Sequence, residues 1–111
     1  NELKFSADSV SEITEIFNMT IMCYENSLKA LEQNDKILAA QTVTMEENID
    51  ALEKDLREAH IEKLSNNQCD AKTNVAFLDT LSNLERVSDH SLNISQVVLK
   101  YKPIKDYLKQ N

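Results

Sequence analysis

The sequence predicts an all-α fold, an antiparallel bundle of three long helices. The 111 residues include no Gly and a single Pro, whereas a β-rich domain of this length needs glycine at several turns. Apolar residues recur every three or four positions along three long segments, which is typical of one helical face. Because only short polar links separate these segments, the helices should lie antiparallel in one domain, residues 1–111.

Helix 1 is predicted from about residue 6 to residue 33. Ser6 is a suitable N-cap, and Asp8 follows in the first turn, where a carboxylate complements the positive end of the helix. Phe5 and Val10 occupy the two positions of a hydrophobic staple around that cap. The stripe predicted to face the core consists of Val10, Ile13, Phe17, Ile21, Tyr24, Leu28 and Leu31.

Helix 2 is predicted from about residue 35 to residue 66, between the Asn34–Asp35 turn and a polar run that ends at Gln68. Its apolar positions are expected to face inward: Leu38, Met45, Ile49, Leu52, Leu56 and Leu64. The charged pairs Glu53–Lys54 and Arg57–Glu58 are interpreted as solvated helix surface.

Helix 3 is predicted from about residue 70 to residue 101, because Asp70 can cap its start and Pro103 prevents its continuation. Its inward positions are Phe77, Leu81, Leu84, Val87, Ile94 and Val98, with Ser88 and Ser91 in the same seam. Residues 102–111 are expected to form a short polar tail.

Charge and hydropathy exclude several classes of partner. Twelve basic and nineteen acidic residues give a net charge of -7, the opposite sign to that of a duplex-binding domain, so nucleic acid is not expected as a partner. No apolar run approaches the roughly 20 residues that cross a bilayer, so no membrane insertion by this segment is expected. Because the chain begins at Asn1 and not at Met, we expect it to be part of a longer protein.

Two Glu-x-x-x-Asp pairs are the candidate site: Glu46 with Asp50 on helix 2, and Glu85 with Asp89 on helix 3. A spacing of four places both carboxylates of a pair on one helix face. In an antiparallel register the two pairs lie at the same height. They either converge on one groove or both point away from it, and the handedness of the bundle decides which.

A converging set of four carboxylates would suit a hard cation such as Mg²⁺, Mn²⁺, Ca²⁺ or iron. The alternative is that the pairs are only solvated surface, because acidic residues are abundant in this chain.

Catalytic motifs are absent from the sequence. A carboxylate-bridged di-iron bundle uses Glu-x-x-His, but Arg57 precedes His60 at that spacing and Val87 precedes His90. No nucleophile elbow or phosphate-binding loop is present either, so no catalytic residue is assigned and an enzyme is not expected.

The remaining histidines and cysteines are interpreted as structural or supporting residues. His60 is expected to be a packing or capping residue, and His90 is either an outer group of the acidic site or a plain surface histidine. Cys23 is interpreted as a small core residue. Cys69 is expected in a loop at the end of the bundle where helix 1 begins, whereas Cys23 lies roughly 22 Å further along the axis of helix 1. The two cysteines are therefore too far apart to form a disulfide.

Residues 84–94, Leu-Glu-Arg-Val-Ser-Asp-His-Ser-Leu-Asn-Ile, resemble the signature helix of the PhoU family, which typically reads Leu-Glu-Arg-Ile-Gly-Asp-His-Ala-x-Asn-Ile. Residues 49–61, Ile-Asp-Ala-Leu-Glu-Lys-Asp-Leu-Arg-Glu-Ala-His-Ile, are similar to helix 2 of a subgroup, the PhoU-like C-terminal domain of sodium/phosphate cotransporter family proteins. Phe5–Ser6 also fits that subgroup.

This resemblance implies a three-helix bundle and assigns Glu46, Asp50, Glu85 and Asp89 as metal ligands, for iron, zinc or another divalent cation. Two features depart from the family pattern: Ser88 replaces the usual Gly, and the chain holds one bundle where full-length PhoU proteins have two.

The resemblance implies a regulatory role: the chain would be a domain on the cytoplasmic side of the bacterial inner membrane that tunes a sodium-dependent phosphate transporter. Its partners would be the membrane domain of the parent protein and a second copy in a homodimer. Two alternatives stay open, a free-standing regulator of phosphate uptake and a purely structural dimerisation bundle without metal.

Overall fold

A computed structural model describes residues 4–100, which form three α-helices. α1 spans Ala7–Gln33, α2 spans Lys36–Ser65 and α3 spans Ala71–Lys100, and each helix packs against the other two. The predicted all-α three-helix architecture is confirmed, with helix ends within one residue of those expected. The predicted tail, Pro103 and the last residue predicted for helix 3 lie outside the described residues.

Each helix begins at the polar residue that the sequence indicates. The Ser6 side chain accepts a hydrogen bond from the backbone N–H of Ser9 at 3.1 Å. At the start of α2, Asp35 Oδ1 accepts a hydrogen bond from the backbone N–H of Leu38 at 2.9 Å. Asp70 accepts from the backbone N–H of Thr73 at 2.9 Å. These caps satisfy amide groups that have no partner within their own helix.

In the links between the helices, asparagine adopts the positive-φ conformation for which many proteins use glycine. Asn34 ends α1 in the left-handed conformation, with φ of 51°, and its N–H bonds back to the carbonyls of Ala30 and Leu31. Asn67, after α2, also has a positive φ of 55°. Asparagine tolerates this conformation better than most residues other than glycine, so tight links remain accessible to a Gly-free chain.

The predicted inward stripe of α1 is wrong by one residue. Val10, Phe17, Leu28 and Leu31 are 52%, 47%, 41% and 49% exposed. Each buried residue of α1 lies one position before a residue of the predicted stripe: Ser9, Ile16, Thr20, Cys23, Ser27 and Ala30. One residue is about 100° of rotation, so α1 turns a different face to the core than its hydrophobicity indicates.

Small side chains explain this rotation. Ser, Thr, Cys and Ala on the inner face of α1 allow its backbone to approach α2 and α3 closely, while the larger apolar residues remain on its flank. Thr20 and Ser27 satisfy their hydroxyls within α1, at 2.8 Å to the carbonyl of Ile16 and 2.7 Å to that of Tyr24. Their burial therefore leaves no unpaired hydroxyl.

The core changes character along the bundle. Most of the buried large apolar side chains belong to one cluster, made of Ile16, Cys23, Ile49, Leu56, Phe77, Leu81 and Leu84. Ala30, Ala39 and Val98 form a second and smaller cluster. Other buried positions carry small hydroxyl residues: Thr20, Ser27, Thr42, Ser88, Ser91 and Ser95. The predicted inward placement of Ser88 and Ser91 is confirmed.

Within residues 4–100, no helix combines the length and apolar character that crossing a bilayer requires.

Candidate metal centre

The two acidic pairs lie in one groove between α2 and α3. Glu46, Asp50 and Asp89 each place a carboxylate oxygen within 4.8 Å of the others. Glu46 and Asp50 are one turn apart on α2, and Asp89 approaches them from α3. The pairs therefore converge, which settles the choice that the sequence left open.

Glu46 is the buried member of this group. It is 4% exposed, while Asp50 and Asp89 lie at the surface. Burial, a side-chain hydrogen bond with Asp50 and the charges of Asp50, Asp89 and Glu47 raise the pKa of Glu46 to about 7. The ionised form is thus disfavoured unless a positive charge enters the groove.

Glu85 lies beside the group but outside its tight cluster. Burial and the charges of Glu53 and Asp89 raise the pKa of Glu85, and the nearby Arg57 guanidinium opposes this rise. Arg57 Nη2 is 3.9 Å from Glu85 Oε2. The structure thus brings three of the four predicted ligands together and places the fourth between the cluster and an arginine.

Arg57 and Glu53 form an ion pair along this groove, and the burial of Glu53 corrects its interpretation as solvated surface. Glu53 is 8% exposed, and Arg57 Nη2 lies 2.6 Å from its Oε1. Arg57 also donates to Ser82 Oγ on α3 at 3.0 Å. The sequence did not predict that Glu53 is buried, because its burial depends on the packing of α3 against this face of α2.

The residues present fit a cation. Three carboxylates converge, one of them is buried, and all of their donor atoms are hard oxygens that suit iron, zinc or a divalent cation such as Mg²⁺ or Ca²⁺. Bringing a positive charge among like-charged groups relieves their mutual repulsion.

Two further residues lie around this groove. Cys23 is fully buried and contacts the Thr42 carbonyl through its thiol at 3.6 Å, as expected for a core residue. Burial raises the pKa of the Cys23 thiol, and the charges of Glu46 and Asp50 raise it further, whereas a hydrogen bond with Ser91 lowers it. Both cysteines are free, as predicted. His90 is exposed.

His60 belongs to a different part of the bundle, where it acts as the predicted packing residue. It is 3% exposed, and its ring stacks on Phe77 with centroids 3.6 Å apart. Its ring nitrogens lie 3.0 Å from Glu12 Oε1 and 2.9 Å from Asn74 Oδ1. This network links all three helices. The sequence did not indicate the contributions of Glu12 and Asn74.

Comparison with known proteins agrees with this geometry. The family described as the PhoU domain matches residues 13–98, which include both acidic pairs. A protein of Thermotoga maritima, "Phosphate-specific transport system accessory protein PhoU homolog 1", is 25% identical over 112 residues. The match takes in 98% of this chain but 48% of that protein, so the chain spans about half the length of its curated relative.

No solved structure matches the chain. The family match nevertheless extends over most of the three-helix bundle and contains the signature residues of α3. The chain belongs to the PhoU family.

Proposed function

We propose that this chain is a regulatory domain of a phosphate-uptake system and that the groove between α2 and α3 is its metal-binding site. The observation that carries the proposal is the convergence of Glu46, Asp50 and Asp89, with ligand atoms within 4.8 Å of one another and Glu46 buried. A regulatory role, and not catalysis, agrees with the PhoU family match and with the name of the Thermotoga relative.

Glu46, Asp50 and Asp89 would hold the ion directly. Glu85, one turn before Asp89 on α3, would complete the set of ligands. A bound iron, zinc or other divalent cation supplies positive charge that holds α2 and α3 together at this height. Occupancy of the groove would thereby be linked to the stability of the helix pair.

Two settings are proposed for the domain. The likeness of residues 49–61 to the cotransporter subgroup favours a domain on the cytoplasmic side of the bacterial inner membrane, attached to the membrane part of a sodium-dependent phosphate transporter. The Thermotoga relative, named as an accessory protein, favours a free-standing regulator. In either setting, we propose that the domain restrains phosphate uptake.

The reading frame upstream of Asn1 distinguishes these settings. A transporter domain requires several apolar segments of roughly 20 residues each in that frame. If the native gene instead starts within a few residues of Asn1, the transporter setting is wrong and the free-standing regulator is favoured.

Thermal melting tests the metal site. The parent and an Asp50→Asn/Asp89→Asn variant are compared in chelator and with Mg²⁺, Mn²⁺, Zn²⁺ and Fe³⁺. An ion that binds only the folded parent stabilises it by about 2.7 kcal/mol at a free concentration 100 times its Kd. The variant should lose most of this gain.

The matched control is Asp55→Asn/Asp79→Asn, which removes two exposed carboxylates from the same two helices. This control should respond to the ion as the parent does. If the parent melts at the same temperature with every ion, or all three proteins gain equally, the pairs are solvated surface and the chain is a structural bundle.

Phosphate uptake in cells tests the regulatory role. In a strain that lacks the native gene, expression of the complete native protein should lower the rate of phosphate uptake. The Asp50→Asn/Asp89→Asn variant should restrain uptake less, while the Asp55→Asn/Asp79→Asn control should match the parent. Uptake that is unaffected by deletion of the gene would contradict the role in phosphate regulation.

A further inference from the structure

All three methionines of the chain line one surface groove between α1 and α2. Met19 and Met22 belong to α1 and are about one turn apart, and Met45 comes from α2. The groove has a volume of about 320 Å³ and is defined here as the methionine groove. The packing of α1 against α2 thus brings together thioether side chains that are far apart in the sequence.

The two helices hold Met22 and Met45 at nearly the same height. Met45 Sδ accepts a hydrogen bond from Asn26 Nδ2, with 3.7 Å between the two atoms. Met22 lies one turn before Asn26 on α1, since four residues are roughly 6 Å of helix. The sulfur of Met45 is therefore about one turn from the position of Met22, a distance that the flexible methionine side chain can close.

The groove combines anchored and accessible thioethers. Met19 and Met45 are half-buried and pack against the main core cluster. Met22 is 58% exposed. The core therefore holds two of the sulfur-bearing side chains, while the third can reorient at the surface. The methionine groove is open to an ion from solvent on the side of Met22.

The other polar groups of the groove favour a cation. The amide side chains of Asn18 and Asn48 line it from α1 and α2, and Glu15 lies one turn before Met19. Among residues 4–100, no lysine or arginine lines it. The whole chain carries a net charge of -7, which attracts cations and repels anions.

The chemistry of the thioether selects the class of cation. Thioether sulfur is a soft and neutral donor, which suits Cu(I), whereas hard cations such as Mg²⁺ and Ca²⁺ take oxygen ligands. Ag(I) has the same charge as Cu(I) and a similar softness. A thioether also carries no proton that a metal must displace, in contrast to a thiol, an imidazolium or a carboxylic acid.

α2 presents soft and hard donors on different faces at the same height. Met45 lines the methionine groove toward α1. The next residue, Glu46, belongs to the carboxylate cluster with Asp50 and with Asp89 of α3. One residue is about 100° of rotation around the helix, so the sulfur and the carboxylates are directed to different neighbouring helices.

We propose that the methionine groove binds a soft monovalent cation, Cu(I) or its analogue Ag(I), through the sulfur atoms of Met19, Met22 and Met45. This proposal is independent of the proposed function, because no carboxylate of the acidic groove supplies a ligand to it. The bundle would then carry two metal sites of opposite chemistry, one with neutral sulfur donors and one with carboxylates.

Calorimetric titration with Ag(I) in chloride-free buffer tests the site in a Cys69→Ser background, which removes the more accessible of the two free thiols. This protein should bind one Ag(I). Met22→Leu and Met45→Leu should each raise the Kd by about tenfold or more, because each removes a ligand. Leucine keeps the apolar volume of the groove, so an effect that needs only apolar surface persists in both variants.

Two controls separate thioethers from the other donors of the chain. Cys23→Ala removes the buried thiol, and Asp50→Asn/Asp89→Asn removes two carboxylates of the acidic groove. Both should bind Ag(I) with the Kd of the Cys69→Ser protein. The Kd should also stay constant between about pH 7 and about pH 5, because a thioether has no proton to lose.

Nuclear magnetic resonance of the methionine methyl groups, labelled with carbon-13, observes the ligands directly. The three methionines give three signals, which the Leu variants assign. One equivalent of Ag(I) should shift all three signals, and Mg²⁺ should shift none of them. Cu(I), kept reduced with ascorbate, should give the same pattern as Ag(I). Circular dichroism verifies that every variant keeps its helices.

A Cys69→Ser protein that binds no Ag(I) overturns the proposal, as do Leu variants that bind Ag(I) with an unchanged Kd. Binding that is lost with Cys23→Ala assigns the ion to the thiol, and binding that is lost with Asp50→Asn/Asp89→Asn assigns it to the acidic groove. Either result rejects the thioether site. Methyl signals that Ag(I) leaves unshifted would show that the methionines serve only in packing.

Discussion

Glu46 shows how burial changes the behaviour of a single residue. Its neighbours Glu47 and Asp50 carry the same kind of group, yet of these three carboxylates only that of Glu46 is buried in the bundle. Burial and adjacent carboxylates raise its pKa to about 7 from the ordinary 4.5. The domain thus holds, near neutral pH, a carboxyl group that can lose its proton when a cation arrives.

The raised pKa predicts that the metal-free domain loses stability as the pH rises. A group whose pKa is higher in the folded state stabilises the fold below its unfolded pKa, near 4.5 here, and that contribution is lost as the pH rises through about 7. The loss should be on the order of 1–3 kcal/mol. Urea unfolding in chelator measures it.

Glu46→Gln is the control for this pH effect, because it keeps the shape of the side chain without an ionisable group. The variant should not share the loss between pH 4.5 and 7, so the difference in unfolding free energy between the two proteins changes with pH. A difference that is constant over this interval would show that Glu46 titrates normally.

Asn74 is the polar residue on which the His60 network depends. It is 3% exposed, and its Nδ2 donates to the His60 carbonyl at 2.6 Å while its Oδ1 lies 2.9 Å from His60 Nδ1. The first bond orients the amide, so that its oxygen faces the ring. One side chain of α3 thereby satisfies two buried polar groups of α2.

Asn74→Ala should lower the free energy of unfolding by about 1–3 kcal/mol, because it leaves buried groups of His60 without partners. Asn83→Ala, at an exposed position of the same helix, is the matched control and should change stability by less than about 0.5 kcal/mol. Denaturant midpoints compare the two. Equal midpoints would mean that the Asn74 bonds contribute nothing to stability.

At the scale of elements, α3 turns a seam of small hydroxyl residues toward the other helices. Ser88, Ser91 and Ser95 are fully buried. Ser91 donates to the Val87 carbonyl at 3.0 Å, whereas the hydroxyls of Ser88 and Ser95 have no hydrogen-bond partner among residues 4–100. Size, and not hydrogen bonding, therefore explains a small residue at position 88, where the PhoU signature has Gly.

Two substitutions at Ser88 should act in opposite directions. Ser88→Ala removes a buried hydroxyl without a partner and improves helix propensity, so it should stabilise the domain by about 0.5–1 kcal/mol. Ser88→Leu adds volume to a close helix crossing and should destabilise it by about 1–3 kcal/mol. Denaturant midpoints check both, and a Leu variant as stable as the parent would contradict the close packing of α3.

The three helices differ in how far their pattern predicted their packing. In α3, the apolar stripe and the buried face coincide at Phe77, Leu81, Leu84 and Val98. In α1 they are separate, because Thr20, Cys23 and Ser27 occupy the inner face while Phe17 and Leu28 lie on the flank. Hydrophobic periodicity locates the most apolar face of a helix. Where two helix backbones pack closely, however, the inner face carries small side chains, so the most apolar face and the inner face differ.

At the scale of the whole molecule, the bundle separates its surfaces by chemistry. The groove between α2 and α3 collects carboxylates, and the exposed flank of α1 collects large apolar side chains. The acidic groove and the apolar flank are therefore separate surfaces of the bundle.

The clustering of carboxylates in the groove predicts how the stability of the metal-free domain changes when two of these charges are removed. Asp50→Asn/Asp89→Asn removes two of the clustered charges, so in chelator the variant should be as stable as the parent, or more stable by about 0.5 kcal/mol or less. Added NaCl should shrink that difference, since salt screens the repulsion at exposed carboxylates. Melting at low and high salt measures both effects. A variant much less stable than the parent would show that these aspartates form favourable contacts in the metal-free fold.

The sequence by itself determined the three helices, their caps and the common height of the two acidic pairs. The caps depend on local chemistry, because Ser6, Asp35 and Asp70 each bind an amide group of the helix that follows. The common height depends only on the spacing of the pairs from the short link between two antiparallel helices. Tertiary structure alone decided that the pairs converge, that Glu46 is buried while Asp50 stays at the surface, and that α1 turns its small residues inward. The rotation of each helix about its axis and the hand of the bundle depend on the close packing of all three helices at once, which no single helix encodes.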